Sequence, residues 1–270
     1  MARKFMRIPT RSVAILTAIS ALFLGLVAPT SADAQVRVRP ATQWANVYAG
    51  PATNLQQSPT PKVGMLEKKS KIIVKYNNFP EWTKIQVQAA VDVWSENFAS
   101  TVPVTIDATW ARISSFGVLG SARPGSYFAG FDKAPDSSLW YPSALANALA
   151  GKDLDGDNPE MIITVNSLAN WYRGNGSGPS KSEYDLQSAI LHEMAHGLGF
   201  LSTDSYDDFF GYGSIDQPTP YDAYAQTGDG RRLSDLPSPS LELGEALTSK
   251  LVWSGPLGVA ANGGVKPLLY

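Results

Sequence analysis

No cysteine occurs in the 270 residues. No disulfide therefore supports the fold, and no thiolate can bind a metal or lock a latent enzyme. Histidine is nearly as scarce, with two in the whole chain. A nucleophilic triad built on an imidazole would have to use one of them. Charged residues make up only 17%, while aromatics reach 10%, a balance that suits a folded exported domain rather than a disordered one. Long hydrophobic runs are also lacking, with one exception near the N-terminus. Val13 to Ala28 is uncharged and apolar, but at 16 residues it is short of the roughly 20 that a membrane-spanning helix needs.

That run is preceded by Arg3, Lys4, Arg7 and Arg11 and followed by Ala32-Asp33-Ala34. A basic start, an apolar middle and a small-x-small end make residues 1–34 a signal peptide, with Gln35 as the expected mature start. An uncleaved anchor is the alternative. Either way the chain is expected to be exported, to the periplasm or the extracellular space, with no membrane span in the mature part. Cleavage would remove four basic residues and one acidic one. That leaves 18 Lys and Arg against 23 Asp and Glu, a net charge of −5. An acidic mature chain argues against nucleic acid or an anionic membrane as partner.

The two histidines lie together, in His192-Glu193-Met194-Ala195-His196. On a helix, residues four apart share a face, so both imidazoles can bind one metal ion as the H-E-x-x-H pattern does in zinc hydrolases. Glu193, next to the first His, would then act as general base without ligating the metal. The expected helix starts at Ser182, with Asp185 in a capping-box place. It buries Leu191, Met194, Ala195 and Leu198, and it ends at Gly199.

Along the rest of the chain, residues 35–66 read as a polar lead-in interrupted by Pro40, Pro51, Pro59 and Pro61, loosely held and wrapped in part on the domain. Ile72 to Tyr76 is an expected strand. A helix opened by Pro80 follows, with Asn78 near its cap and Val87, Val91, Trp94 and Phe98 as its apolar stripe. Val102 to Trp110 reads as a second strand. Residues 111–142 are rich in Gly, Ser and Pro and are expected to be irregular strands and a long surface loop. Ser143 to Ala150 suggests a short helix stopped by Gly151. Asp153-Leu154-Asp155-Gly156-Asp157-Asn158 resembles the start of a calcium loop. Asn158 stands where that loop needs Gly and Thr164 where it needs Glu, so an acidic turn is favoured over calcium. Met161 to Asn166 is a strand, read either as an ordinary one or as an edge strand that adds an extended peptide over the cleft. Beyond Gly199, Tyr221 to Thr227 and Arg231 to Leu233 read as a hairpin, and Leu241 to Lys250 as a short helix capped by Ser240. Lys266 to Tyr270 ends the chain without a closing element.

His192-Glu193-x-x-His196-x-x-Gly199-Phe200 resembles the first part of the metzincin signature, and more closely that of leishmanolysin-like metzincins and related secreted bacterial proteins. Tyr221-Asp222, Ala246 to Ser249, Leu251 to Gly255 and Ala261 to Gly264 resemble the same bacterial group. The resemblance implies a zinc-dependent endopeptidase acting on peptide or protein substrates, with His192 and His196 as metal ligands and Glu193 as catalytic base. It implies an α+β, zincin-like fold: a twisted mixed sheet on two long helices, the second carrying the motif. Residues 67–201 would be the catalytic subdomain and 202–270 an insertion with a partial C-terminal subdomain. In the short signature the third ligand would fall at Ser202, a poor one for zinc. Three expectations stand side by side. The chain ends before its third His and Met-turn; or Asp204, Asp207, Asp208 or Asp222 substitutes; or Glu242 or Glu245 does, against which Gly199 argues. A reading of another class is a non-catalytic exported binding protein with a vestigial zincin fold.

Overall fold

The computed structural model describes residues 36–49, 69–174 and 178–269. The expected signal segment 1–34 and all of the tract 50–66 lie outside the described residues. In chain order the elements begin with two short strands, β1 (Arg37–Pro40) and β2 (Ala45–Tyr48). Then come β3 (Ile72–Asn77), α1 (Glu81–Asn97), β4 (Val104–Ala111), β5 (Val118–Pro124), β6 (Ser126–Ala129), β7 (Tyr141–Pro142) and α2 (Ser143–Ala150). They continue with β8 (Met161–Asn166), α3 (Leu186–Gly197), β9 (Asp204–Tyr206), β10 (Gly213–Ile215), α4 (Pro220–Tyr224) and β11 (Ala225–Thr227). The last are α5 (Leu241–Leu247), β12 (Leu251–Trp253), α6 (Pro256–Ala261) and β13 (Leu268–Leu269). The fold is mixed α+β. Among the described residues no helix is long and apolar enough to cross a membrane.

The largest sheet has five strands in the order β2-β5-β8-β4-β3. β3, β4 and β8 run parallel, and β5 and β2 are antiparallel to their neighbours. Alternation decides its buried face. Val104, Ile106 and Ala108 of β4 and Met161, Ile163 and Val165 of β8 are buried, while the residues between them are half-buried. α1 and α3 cover that face. Val87, Ala90 and Val91 of α1 and Leu186, Ala189, Ile190 and Met194 of α3 join the strand residues in one core. Each such large aliphatic side chain contributes about 1.5–3 kcal/mol by leaving water. Trp94 Nε1 donates to Leu191 O at 3.1 Å and ties the two helices together.

Several sequence expectations are corrected. Asn78 does not cap α1; Pro80 takes that place, and Asn78 adopts φ 61° before it. Residues 111–142 hold the expected strands, β5, β6 and β7, but no single long surface loop: exposed turns around Phe116 and Lys133 alternate with strands, and Tyr127, Phe128, Phe131, Trp140 and Tyr141 are buried. β8 is an interior strand between β5 and β4, so it has no free edge for a peptide. Part of the polar lead-in forms strands, β1 against β6 and β2 against β5. Pro220–Tyr224 is a helix, because Thr219 and Asp222 form a capping box ahead of Pro at its first turn. The expected hairpin shrinks to a tight turn with Gln226 bridging Arg232. β11 pairs with β12, and β13 closes that sheet where no closing element was expected.

Candidate metal centre

α3 begins later than its sequence suggests. Asp185 is the N-cap, accepting from Ser188 N at 3.0 Å and Ser188 Oγ at 2.5 Å, so Ser182 lies outside the helix. Its buried face is also rotated from the expected one. Leu186, Ala189, Ile190, Glu193, Met194 and Gly197 are buried, and Leu191, Ala195 and Leu198 are only half-buried. Gly197 lets the helix approach β8 closely, since a Cβ there would stand 2.5 Å from Met161 Sδ. Gly199, at φ +113°, turns the chain away against the Pro142 ring.

His192 and His196 project from the last turns of α3 toward one point, with their Nε2 atoms 2.9 Å apart. His196 Nδ1 lies 2.7 Å from Phe200 O. Because a carbonyl can only accept, Nδ1 carries the proton and Nε2 presents a lone pair. Burial pushes the His192 imidazolium down to about 4, helped by His196 beside it, and burial lowers His196 as well. Two neutral imidazoles with converging nitrogens and a backbone carbonyl fixing one tautomer match two ligands of a metal ion and its supporting shell.

Glu193 sits between them on the sheet side and is 1% exposed. Its Oε1 faces Gly120 of β5, where a Cβ would come within 2.8 Å. Neither carboxylate oxygen completes a hydrogen bond. Burial raises its carboxyl to about 8, with the Val47 backbone of β2 opposing weakly.

The imidazoles open into a cleft of about 790 Å³. Its far wall comes from residues after Gly199, including Phe200, Tyr221, Leu247, Leu251 and Trp253. Phe200, Tyr221 and Trp253 stack with ring centroids 5.1–5.5 Å apart. Asp204 is the one carboxylate residue on the lining, and burial raises its pKa.

The third-ligand expectations fare differently. Among the described residues, no third His, Asp or Glu brings a ligand atom within 4.8 Å of both imidazoles. Ser202 is committed elsewhere: its Oγ donates to Asp222 Oδ1 at 2.5 Å. Asp222 is fully buried and also accepts from Thr219 N and Oγ1, so it serves the cap of α4. Asp207 accepts from the backbone N–H groups of Phe209 and Phe210. Glu242 pairs with Arg231. Asp208 and Glu245 are exposed. The residues present thus fit a metal as two ligands and a base.

The acidic run at 153–158 forms the expected turn, with Asp153 Oδ1 accepting from the N–H groups of Asp155 and Gly156. Sequence reasoning missed Glu160, whose carboxylate lies within 4.8 Å of those of Asp153 and Asp155. Its oxygens are already engaged by Thr105 N and Asn147 Nδ2. Two further residues about the site also went unanticipated, Gly120 and Val47. Gly120 lay in the stretch read as irregular strands and loop without boundaries, and Val47 belongs to the lead-in.

No curated protein and no solved structure matches the chain. The sequence profile of the SPBPB7E8-like family matches residues 79–218, from the residue pair before α1 through α3 and past β10. That span is just over half of the chain and includes both imidazoles and Glu193, and so the chain belongs to the SPBPB7E8-like family.

Proposed function

We propose that this chain is an exported zinc-dependent endopeptidase of metzincin type. His192 and His196 hold the zinc, and Glu193 is the general base. The observation that carries the reading is the pair of Nε2 atoms facing each other at 2.9 Å on α3, with Glu193 on the same turn. A mixed sheet packed on α1 and α3, with the second helix bearing the motif, supports the zincin-like fold. When bound, zinc would polarise the scissile carbonyl and acidify the attacking water.

The protein groups have separate tasks. The Nδ1–H donation to Phe200 O holds the His196 ring in place. Glu193 takes a proton from the attacking water and passes it to the leaving amine. The cleft beside the imidazoles, walled by Phe200, Tyr221 and Trp253, has room for a polypeptide side chain.

The second reading is an exported binding protein on a vestigial zincin scaffold. It is favoured by the lack, among the described residues, of a third ligand near the pair. Casein hydrolysis by the full chain and by Glu193→Ala separates the two. The peptidase reading expects the variant to lose activity by about 10²-fold or more while its zinc stays bound. Equal activity in the two proteins overturns the role of Glu193, and no activity in either at every zinc concentration favours the binding protein.

A further inference from the structure

The five-stranded sheet has two outer strands. β2 lies on the side of the candidate centre, and β3 closes the opposite edge. At the foot of β3 a second hollow of about 460 Å³ opens between the residues that lead into the strand, the second half of α1 and Ser100. It shares no lining residue with the cleft that holds the imidazoles.

The frame of this hollow is fixed by the main chain. Lys69 N and Ser70 N both donate to Ser95 O, at 2.7 and 3.1 Å. Ser100 N donates to Lys69 O at 3.1 Å, and Val104 N donates to Lys71 O at 2.8 Å. The backbone of residues 69–71 is thus held from two sides, and its side chains are left to meet a ligand.

One of those side chains lacks a partner. Ser70 is only 8% exposed, and its Oγ makes no hydrogen bond. A buried hydroxyl is unfavourable in that condition unless something from outside the chain answers it. The other hydroxyls on the lining have spent their protons: Ser95 Oγ donates to Asp92 O at 3.0 Å and Ser100 Oγ to Val102 O at 2.7 Å. Gln88 Nε2 donates to Asp92 Oδ1 at 3.0 Å. Lys69 and Lys71 are the only charged residues on the lining, and among the described residues neither enters an ion pair. Asp92 and Glu96, the acids on this part of α1, stand off the lining. In a chain of acidic balance, the hollow therefore gathers two cations and an unanswered O–H donor.

We propose that this hollow binds a small phosphate monoester, with Ser70 Oγ and the Lys69 and Lys71 ammonium groups as donors. Three donors suit three terminal oxygens. Two ammonium charges match the charge of about −1.5 to −2 that a monoester carries near pH 7, whereas a carboxylate would leave one of them unanswered. The hollow has room beyond the phosphate group, and Ile72 and Val91 give the organic part an apolar wall. The site does not rest on the peptidase reading and needs no zinc.

The test titrates the full chain with phenyl phosphate at low salt, followed by calorimetry. Saturable binding is expected, and it weakens as salt is raised. Inorganic phosphate is expected to bind at least about three-fold more weakly for want of the apolar part, and phenol not at all. Lys69 and Lys71 are exposed, so the chain carrying Lys69→Gln with Lys71→Gln should fold as the parent does. It is expected to bind phenyl phosphate at least about ten-fold more weakly. Ser70→Ala is expected to weaken binding about ten-fold without lowering the melting temperature, because the hydroxyl serves no partner within the fold. A hydroxyl with a purely structural role would do the reverse. No saturation below about 10 mM phenyl phosphate, or equal affinity in the lysine variant, would overturn the proposal. So would a Ser70→Ala chain that loses stability and keeps its affinity, or phenol binding as tightly as its phosphate. Inorganic phosphate binding as tightly as the ester would overturn the choice of a monoester.

Discussion

The two sides of the cleft are built by different means. The side bearing His192, Glu193 and His196 rests on a large core in which, among the described residues, nineteen buried side chains meet, most of them from the sheet, α1 and α3. The facing side, after Gly199, gathers five buried residues around Ile215, Leu233 and Leu243. It is stitched instead by local devices: the Thr219–Asp222 capping box, the Ser240 cap of α5 and short two- and three-stranded sheets. The difference separates the tasks. A large core holds two nitrogens in convergence, and a thinly packed wall shapes the space before them. Small cores depend on every residue, and local opening concentrates where burial is thin.

Substitutions can break or sharpen that contrast. Met194 is fully buried at the centre of the large core. Met194→Ala is expected to cost the upper part of about 2–5 kcal/mol and to lower the urea midpoint of the whole molecule. A smaller swing is expected from Asp222. Burial raises its carboxyl from 3.8 to about 6, so between these values the folded chain keeps a proton that the unfolded chain has released. The stability from this group is present below about pH 4 and is lost as pH rises through 6, by roughly 3 kcal/mol at most. Asp222→Asn should remove that component: the difference in unfolding free energy between variant and parent should change across pH 4–6 and level off above it. A constant difference would count against the raised value.

Leu243→Ala, in the small core, is expected to cost about 2 kcal/mol, near the lower end for such truncations. It should speed hydrogen exchange in α5 and β12 while β4 and β8 stay protected. If β4 and β8 lost protection equally, the two sides would be one cooperative unit and the contrast would fail. Asp185→Ala removes the cap of α3 and should cost about 1 kcal/mol, read as a small drop in melting temperature.

What could be read from the chain beforehand follows the same division. The imidazole pair and its helix were legible because a spacing of four fixes a common face whatever lies around it. The start of α3 was misplaced because Ser182 and Asp185 fit one capping pattern, while the side chain that caps is that of Asp185 itself. Strands were expected within 111–142, but the bounds of β5 were masked by Gly117, Gly120, Gly125 and Pro124, residues that signal loop locally. Here Gly120 is needed because Glu193 takes the space of its Cβ. Strand order was not legible, since hydrophobic alternation shows that β8 is a strand but not which strands flank it. The facing wall was least legible. Its elements are short, and their boundaries are set by caps and pairings such as β12 with β13 rather than by periodicity.

The proposed function requires His192 and His196 to share one metal ion. Zinc content by atomic emission, on the purified full chain and on His196→Ala after dialysis against dilute zinc, tests it most directly. About one zinc per parent chain is expected, and close to none in the variant. A parent chain without zinc, or a variant that keeps it, would contradict the account.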